Sequence, residues 1–194
     1  MSDSYVAIVD EFATKENAPS LAEQVLNVLI DEEIVNDRLD PEATLGGEGG
    51  YRPGTRIPQL WTGEASAGFW DLLTNGLEVI AKPWFNVWGG ECFHYVDCPK
   101  CSARFDSTDS IPKGIFEAAG RFMNGEPIAD VTCPQCGEAT IASAWKAKHH
   151  FGFCYLAFLF WNWPPLDDED WEIDLPALIQ GALGHPIITT YGHM

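Results

Sequence analysis

Phe151-Gly-Phe-Cys-Tyr-Leu-Ala-Phe-Leu-Phe-Trp161 is the longest apolar run in the chain. Phe151, Phe153, Tyr155, Leu159 and Trp161 fall on one alternating face, and Cys154, Leu156, Phe158 and Phe160 on the other. A half-buried strand alternates apolar with polar residues. A strand apolar on both faces belongs in the middle of a sheet, covered from both sides. The run is about half of the ~20 residues a membrane-spanning helix needs, and Asn162 and Pro164-Pro165 end it. It therefore predicts an α+β fold, one domain over residues 1–194, in which flanking helices cover an antiparallel sheet.

Working outward from that strand, Asp174 to Leu183 reads as a helix with Pro176 in its first turn and Gly184 at its end. Ile187 to Tyr191 reads as a closing strand. At the other end of the chain, Tyr5 to Val9 suits a strand or a helix start. Ser20 and Glu23 form a capping-box pattern, and Leu21, Val25, Val28, Leu29 and Val35 recur at helical spacing, which predicts a helix over 20–36. Gly46 to Gly54 breaks periodicity and reads as a loop. A second helix is expected over Phe69 to Leu73, closed by a left-handed cap at Asn75-Gly76. Leu77 to Val87 reads as one or two strands, and Phe93 to Val96 as another. A third helix follows Pro112, capped by Ser110, with Ile115, Ala118, Ala119 and Phe122 as its buried stripe and Asn124-Gly125 as its end. Ile128 to Val131 and Ala139 to Ala142 read as strands.

The 194 residues are 46% hydrophobic and 12% aromatic, enough for a sizeable core and too rich for a disordered chain. The formal charge is −18 and unevenly spread. Residues 1–50 carry −10, residues 51–150 only −2, and residues 151–194 carry −6. The acids gather in Asp31-Glu32-Glu33 and in Asp167-Asp168-Glu169-Asp170. Such runs are ordinary solvated surface, or they converge into one negative face that steers a cationic partner. Neither run has the alternating oxygen spacing of a calcium loop. The start of the chain lacks a basic cluster and an apolar stretch, so the expected location is cytoplasmic.

Cys98-Pro-Lys-Cys101 and Cys133-Pro-Gln-Cys136-Gly137 carry the clearest chemistry. Two residues between cysteines let both thiolates point into one tight turn. The proline restricts that turn, and Gly137 permits the positive backbone angle it needs. Two such turns offer four soft sulfurs at tetrahedral positions, which suits one zinc ion. An iron site and a redox dithiol use the same residues. The pattern resembles the zinc-ribbon family over residues 98–136, within a module of about 92–142. The resemblance implies two knuckles on short hairpins gripping one structural Zn²⁺ through Cys98, Cys101, Cys133 and Cys136. The 31-residue gap between the pairs is longer than the family's common spacing, and the helix after Pro112 fits inside it. Four thiolates leave no open coordination position, so the expected role is structural rather than catalytic. Cys92 and Cys154 read as buried thiols.

No catalytic constellation stands out. His149 and His150 are adjacent and, on a strand, point to opposite faces. The function expected is that of an acidic, zinc-stapled binding protein masking a basic protein partner. Trp163 would serve as an anchor amid Asp167, Asp168, Glu169 and Asp170, with Asp31, Glu32 and Glu33 on the same face. In size and charge such a chain is similar to immunity proteins and acidic inhibitors. Two alternatives stand beside it: an enzyme with a structural zinc and an aromatic small-molecule pocket, and a zinc ribbon that binds nucleic acid. For the last, Lys100, Arg104, Lys113, Arg121, Lys146 and Lys148 are offset by seven nearby acids.

Overall fold

The computed structural model describes residues 3–64, 68–86, 95–106, 111–147 and 150–193. The described strands form one six-stranded antiparallel sheet and two small ones, with four helices, so the α+β expectation holds. No described helix is long and apolar enough to cross a membrane.

The apolar run forms the strand β10, Leu156–Trp161, with every residue buried. It lies between β1, Ser4–Asp10, and β4, Gly76–Ile80, both antiparallel to it. Beyond β1 lies β11, Ile188–His193, and beyond β4 lie β3, Gly50–Pro53, and β2, Val35–Asp40. Leu156, Phe158 and Phe160 join the main core under two helices, α1 (Ala18–Asp31) and α4 (Leu175–Leu183). The single-turn helix α2, Ile57–Leu60, adds Ile57 and Leu60 to the same core. Ala157, Leu159 and Trp161 face a second cluster with Tyr5, Ala7 and Val9. Burial on both faces is thus the reason this strand is central. Its first half departs from the expectation. The alternation slips at Tyr155, a bend between the Cys154 bridge and the strand, so Cys154 sides with Leu159 rather than Leu156, and Phe151 and Phe153 enter a third cluster.

Helix α1 begins earlier and ends sooner than 20–36. Thr14 and Asn17 exchange backbone-to-side-chain hydrogen bonds and Pro19 fills the first turn, so Ser20 donates to the Asn17 carbonyl rather than forming a capping box with Glu23. At the other end Glu33 adopts φ +53°, the Ile34 amide returns to the Leu29 carbonyl, and Ile34 and Val35 are buried as the chain turns into β2. The expected loop over 46–54 contains β3, because Gly50 lies so close to the Leu77 carbonyl that a Cβ would stand 2.7 Å from it. The helix expected at Phe69 to Leu73 is a single 3-10 turn, Phe69–Asp71. Asn75-Gly76 is no left-handed cap: Gly76 starts β4, and the Asn75 amide ties back to the Phe69 carbonyl.

Helix α4 follows its sequence signals closely. Asp174 accepts from the Ala177 amide at 2.9 Å, and Gly184 ends the helix at φ +69°. Between β4 and β10 the chain runs through a long insert. It leaves and returns as a paired stem, with Trp84 bridging Cys154 and the Asn86 amide on the Phe151 carbonyl. Within it, β5 (Val96–Asp97) pairs with β6 (Arg104–Phe105) and with β9 (Lys146–Ala147). Strands β7 (Asp130–Thr132) and β8 (Ala139–Ile141) form a hairpin. Helix α3, Gly114–Met123, buries the expected Ile115, Ala118, Ala119 and Phe122 against them. Its proposed cap Ser110, the cysteine Cys92, His94 and His149, and the start of the strand expected at Phe93, lie outside the described residues.

Candidate metal centre

Each cysteine pair sits at the tip of a short hairpin, and the two tips have one geometry. In the first, the Cys98 amide donates to the Ala103 carbonyl at 2.9 Å and the Ser102 amide to the Cys98 carbonyl at 3.0 Å. In the second, the Cys133 amide donates to the Glu138 carbonyl at 2.9 Å and the Gly137 amide to the Cys133 carbonyl at 2.9 Å. Both turns close through a left-handed residue at the same position, Gly137 at φ +76° and Ser102 at φ +59°. Gly137 announces that conformation and Ser102 does not. The second pair, aligned on the first, is the signal that locates it.

The sulfurs of Cys98, Cys101, Cys133 and Cys136 all lie within 4.8 Å of one another. Cys98 and Cys133 are buried in the core of the insert, while Cys101 and Cys136 are exposed. Cys101 Sγ and Cys133 Sγ, from different hairpins, are 3.9 Å apart. The Lys100 amide donates to Cys98 Sγ at 3.4 Å. Burial pushes the Cys98 thiol up, yet the amides of Cys101 and Lys100 and the neighbouring thiols outweigh it and bring it to about 7. At Cys101 the Ala103 amide lowers the thiol, but burial and the thiols of Cys136, Cys98 and Cys133 prevail and push it up to about 12. One thiolate forms readily and further negative charge is resisted, the situation a shared cation relieves. The four-cysteine centre is thus compatible with a bound metal ion.

Cys154 stands apart, buried against the sheet, and burial drives its thiol well above the ordinary range. His150 lies 3.3 Å from Glu11 and His185 lies 2.8 Å from Asp10. Asp10 is wholly buried, and its other oxygen accepts the amides of Phe12 and Ala13. These pairs join residues 139 and 175 positions apart, which no local pattern marks.

The acidic residues are exposed at Asp31, Glu32, Glu33, Asp167 and Glu169 and half-buried at Asp168 and Asp170. The two runs meet the ends of one short segment, residues 56–62, which contains α2. Its Arg56 pairs with Glu32, while the Thr62 amide and hydroxyl donate to the Asp170 carbonyl. Asp167, Asp168, Glu172 and Asp174 line an open groove of about 510 Å³ with Trp171 on its wall, and among the described residues no basic side chain lines it. Trp163 is not the surface anchor expected from the sequence. It is only 5% exposed, because it stacks on Trp171 and packs edge-on to Phe160 within the main core. Trp171, 8% exposed, is the tryptophan that borders the groove.

No protein-family model, curated protein or solved structure matches this chain. Fold and site together define an α+β protein with a four-cysteine insert and an acidic groove.

Proposed function

We propose that the chain is a zinc-stapled binding protein whose acidic face masks a basic protein partner. Four thiolates favour zinc over harder cations. Zinc–sulfur bonds of ~2.3 Å in a tetrahedron place sulfurs about 3.8 Å apart, which the 3.9 Å between Cys101 and Cys133 supports. The two hairpins resemble zinc-ribbon knuckles, with α3 inserted between them. Strands of two or three residues are too short to persist alone, so the ion's task is to hold the insert together, and a filled coordination sphere gives it no reactive position.

The observation that carries the binding role is the groove with four carboxylates and no facing cation among the described residues, beside the segment whose Thr62 bonds Asp170 and whose Arg56 pairs with Glu32 of the first acidic run. Carboxylates without counter-charges raise the local concentration of cations and accelerate encounter by about 10- to 1,000-fold at low salt. The test has two arms. Metal analysis of the purified chain should return one zinc per molecule. Wild type and the double variant Asp168→Lys, Glu172→Lys should then be compared for capture of basic proteins from the native cell. Wild type alone should retain a specific basic protein, with an association rate that falls steeply with salt. Equal capture by both proteins, or association indifferent to salt, would sink the reading.

A further inference from the structure

Strand β2 is an edge of the large sheet, and no described strand pairs with its outer side. Asn36, Asp37, Arg38 and Leu39 are all exposed. Edges are usually blunted by bulges and by charge. A register shift between Val35 and Leu39 does disturb the first half of β2. Its second half is regular, with Leu39 opposite Tyr51 and Asp40 opposite Gly50. There Leu39 stands 51% exposed between charges of opposite sign, Arg38 and Asp40. Arg38 forms no ion pair among the described residues. Leu72 and Leu73, 42% and 73% exposed, are held at the same edge because Arg52 donates to both their carbonyls and to Asp40. An unpaired strand edge with an exposed leucine between unlike charges is a template for pairing with another strand.

The charges decide what fits it. In an antiparallel pair about a two-fold axis, directly opposed side chains share a face. A register centred on Arg38 opposes Arg38 with itself, and one centred on Asp40 opposes Asp40 with itself. A register centred on Leu39 opposes leucine with leucine and Arg38 with Asp40 twice, with no like-charge contact. Asp40 can keep Arg52, since each carboxylate oxygen accepts more than one donor.

We propose that β2 pairs with β2 of a second copy of this chain, antiparallel about an axis at Leu39, so that the sheet continues through both molecules. The paired stretch is short and each chain carries −18, so the dimer is weak and forms at high concentration. The inference is independent of the acidic groove and of the metal.

Sedimentation equilibrium over a concentration series tests it. Wild type should follow a monomer–dimer equilibrium. Arg38→Glu turns two attractive pairs into two repulsive ones and should weaken dimerisation about tenfold or more; its side chain is exposed, so the fold is spared, as thermal unfolding will report. Asp40→Lys should also be monomeric alone. An equimolar mixture of the two variants should nevertheless associate, because each opposed pair in the mixed dimer again joins unlike charges: the two replaced side chains meet each other, and the Arg38 left in one chain meets the Asp40 left in the other. If Asp40→Lys unfolds through loss of the Arg52 pair, Arg38→Glu against wild type decides alone. A wild-type chain monomeric at every soluble concentration, or a dimer indifferent to Arg38→Glu, overturns the proposal.

Discussion

Ser102 and Gly137 occupy matching left-handed positions in two turns of one geometry, with φ of +59° and +76°. An L residue in that conformation carries a cost of about 1–2 kcal/mol. Glycine escapes it but loses about 0.5–1 kcal/mol more backbone entropy on folding. Ser102→Gly should therefore stabilise the first knuckle by about 0.5–1 kcal/mol. Gly137→Ala should weaken the second by a similar amount, through the backbone alone, because a Cβ there would meet nothing within 4 Å. With zinc held as proposed, knuckle folding would be coupled to metal binding, so both effects should appear in affinity. Competition against a chelating indicator should give Ser102→Gly about two- to fivefold tighter zinc binding and Gly137→Ala about two- to fivefold weaker binding. If Ser102→Gly weakens the site, or Gly137→Ala leaves it unchanged, the shared left-handed turn is not what shapes the two knuckles.

Cys98→Ser and Cys133→Ser each remove a buried thiol of the proposed zinc site and should abolish stoichiometric metal, read by elemental analysis, whereas Cys154→Ser should leave the ion count at one. Burial raises the Glu78 carboxyl above its ordinary value, with the Trp161 indole donating to it and opposing the rise. Its contribution to stability is thus full below about pH 4.5 and declines as pH climbs through the raised folded value. Glu78→Gln keeps an oxygen for Trp161 and should flatten that decline in denaturation curves recorded from acid to neutral pH. Phe158→Ala empties a wholly buried site in the central strand and should cost about 3–5 kcal/mol in denaturant unfolding, with metal content unchanged.

The elements legible in the sequence are those whose cause is local. Phe158 and Phe160 against Leu159 and Trp161 announce a strand covered on both sides. Asp174 and Gly184 bracket α4, and Ile115, Ala118, Ala119 and Phe122 mark one helical face. The four clustered cysteines were legible too, because their spacing is the geometry. What was hidden depends on distant chain. Val35 continues the helical spacing of α1, but a left-handed Glu33 ends the helix first, and Gly54 donates to the Ile34 carbonyl at 2.8 Å to fix the turn. Gly50 looks like loop punctuation until Leu77 runs beside it. Trp163 sits among acids in sequence, yet its ring is claimed by Phe160 and Trp171, so the expected anchor is core. No reading of residues 31–33 and 167–170 alone joins them; Arg56 and Thr62 do so only in the folded chain.

Strand β10 also bears on how metal and charge relate. The four-cysteine insert enters the sheet just before Leu156, and the acidic loop leaves it just after Trp161. Six residues at about 3.3 Å each separate those points by roughly 20 Å. The proposed zinc would have its coordination sphere filled by the four thiolates, and none of the four cysteines lines the groove. On that proposal the ion would act on binding only by keeping folded the second core, which shares Tyr155 with the main one. The attraction proposed for the groove therefore comes from Asp167, Asp168, Glu172 and Asp174, which line it, and the part of the proposed metal in it is architectural.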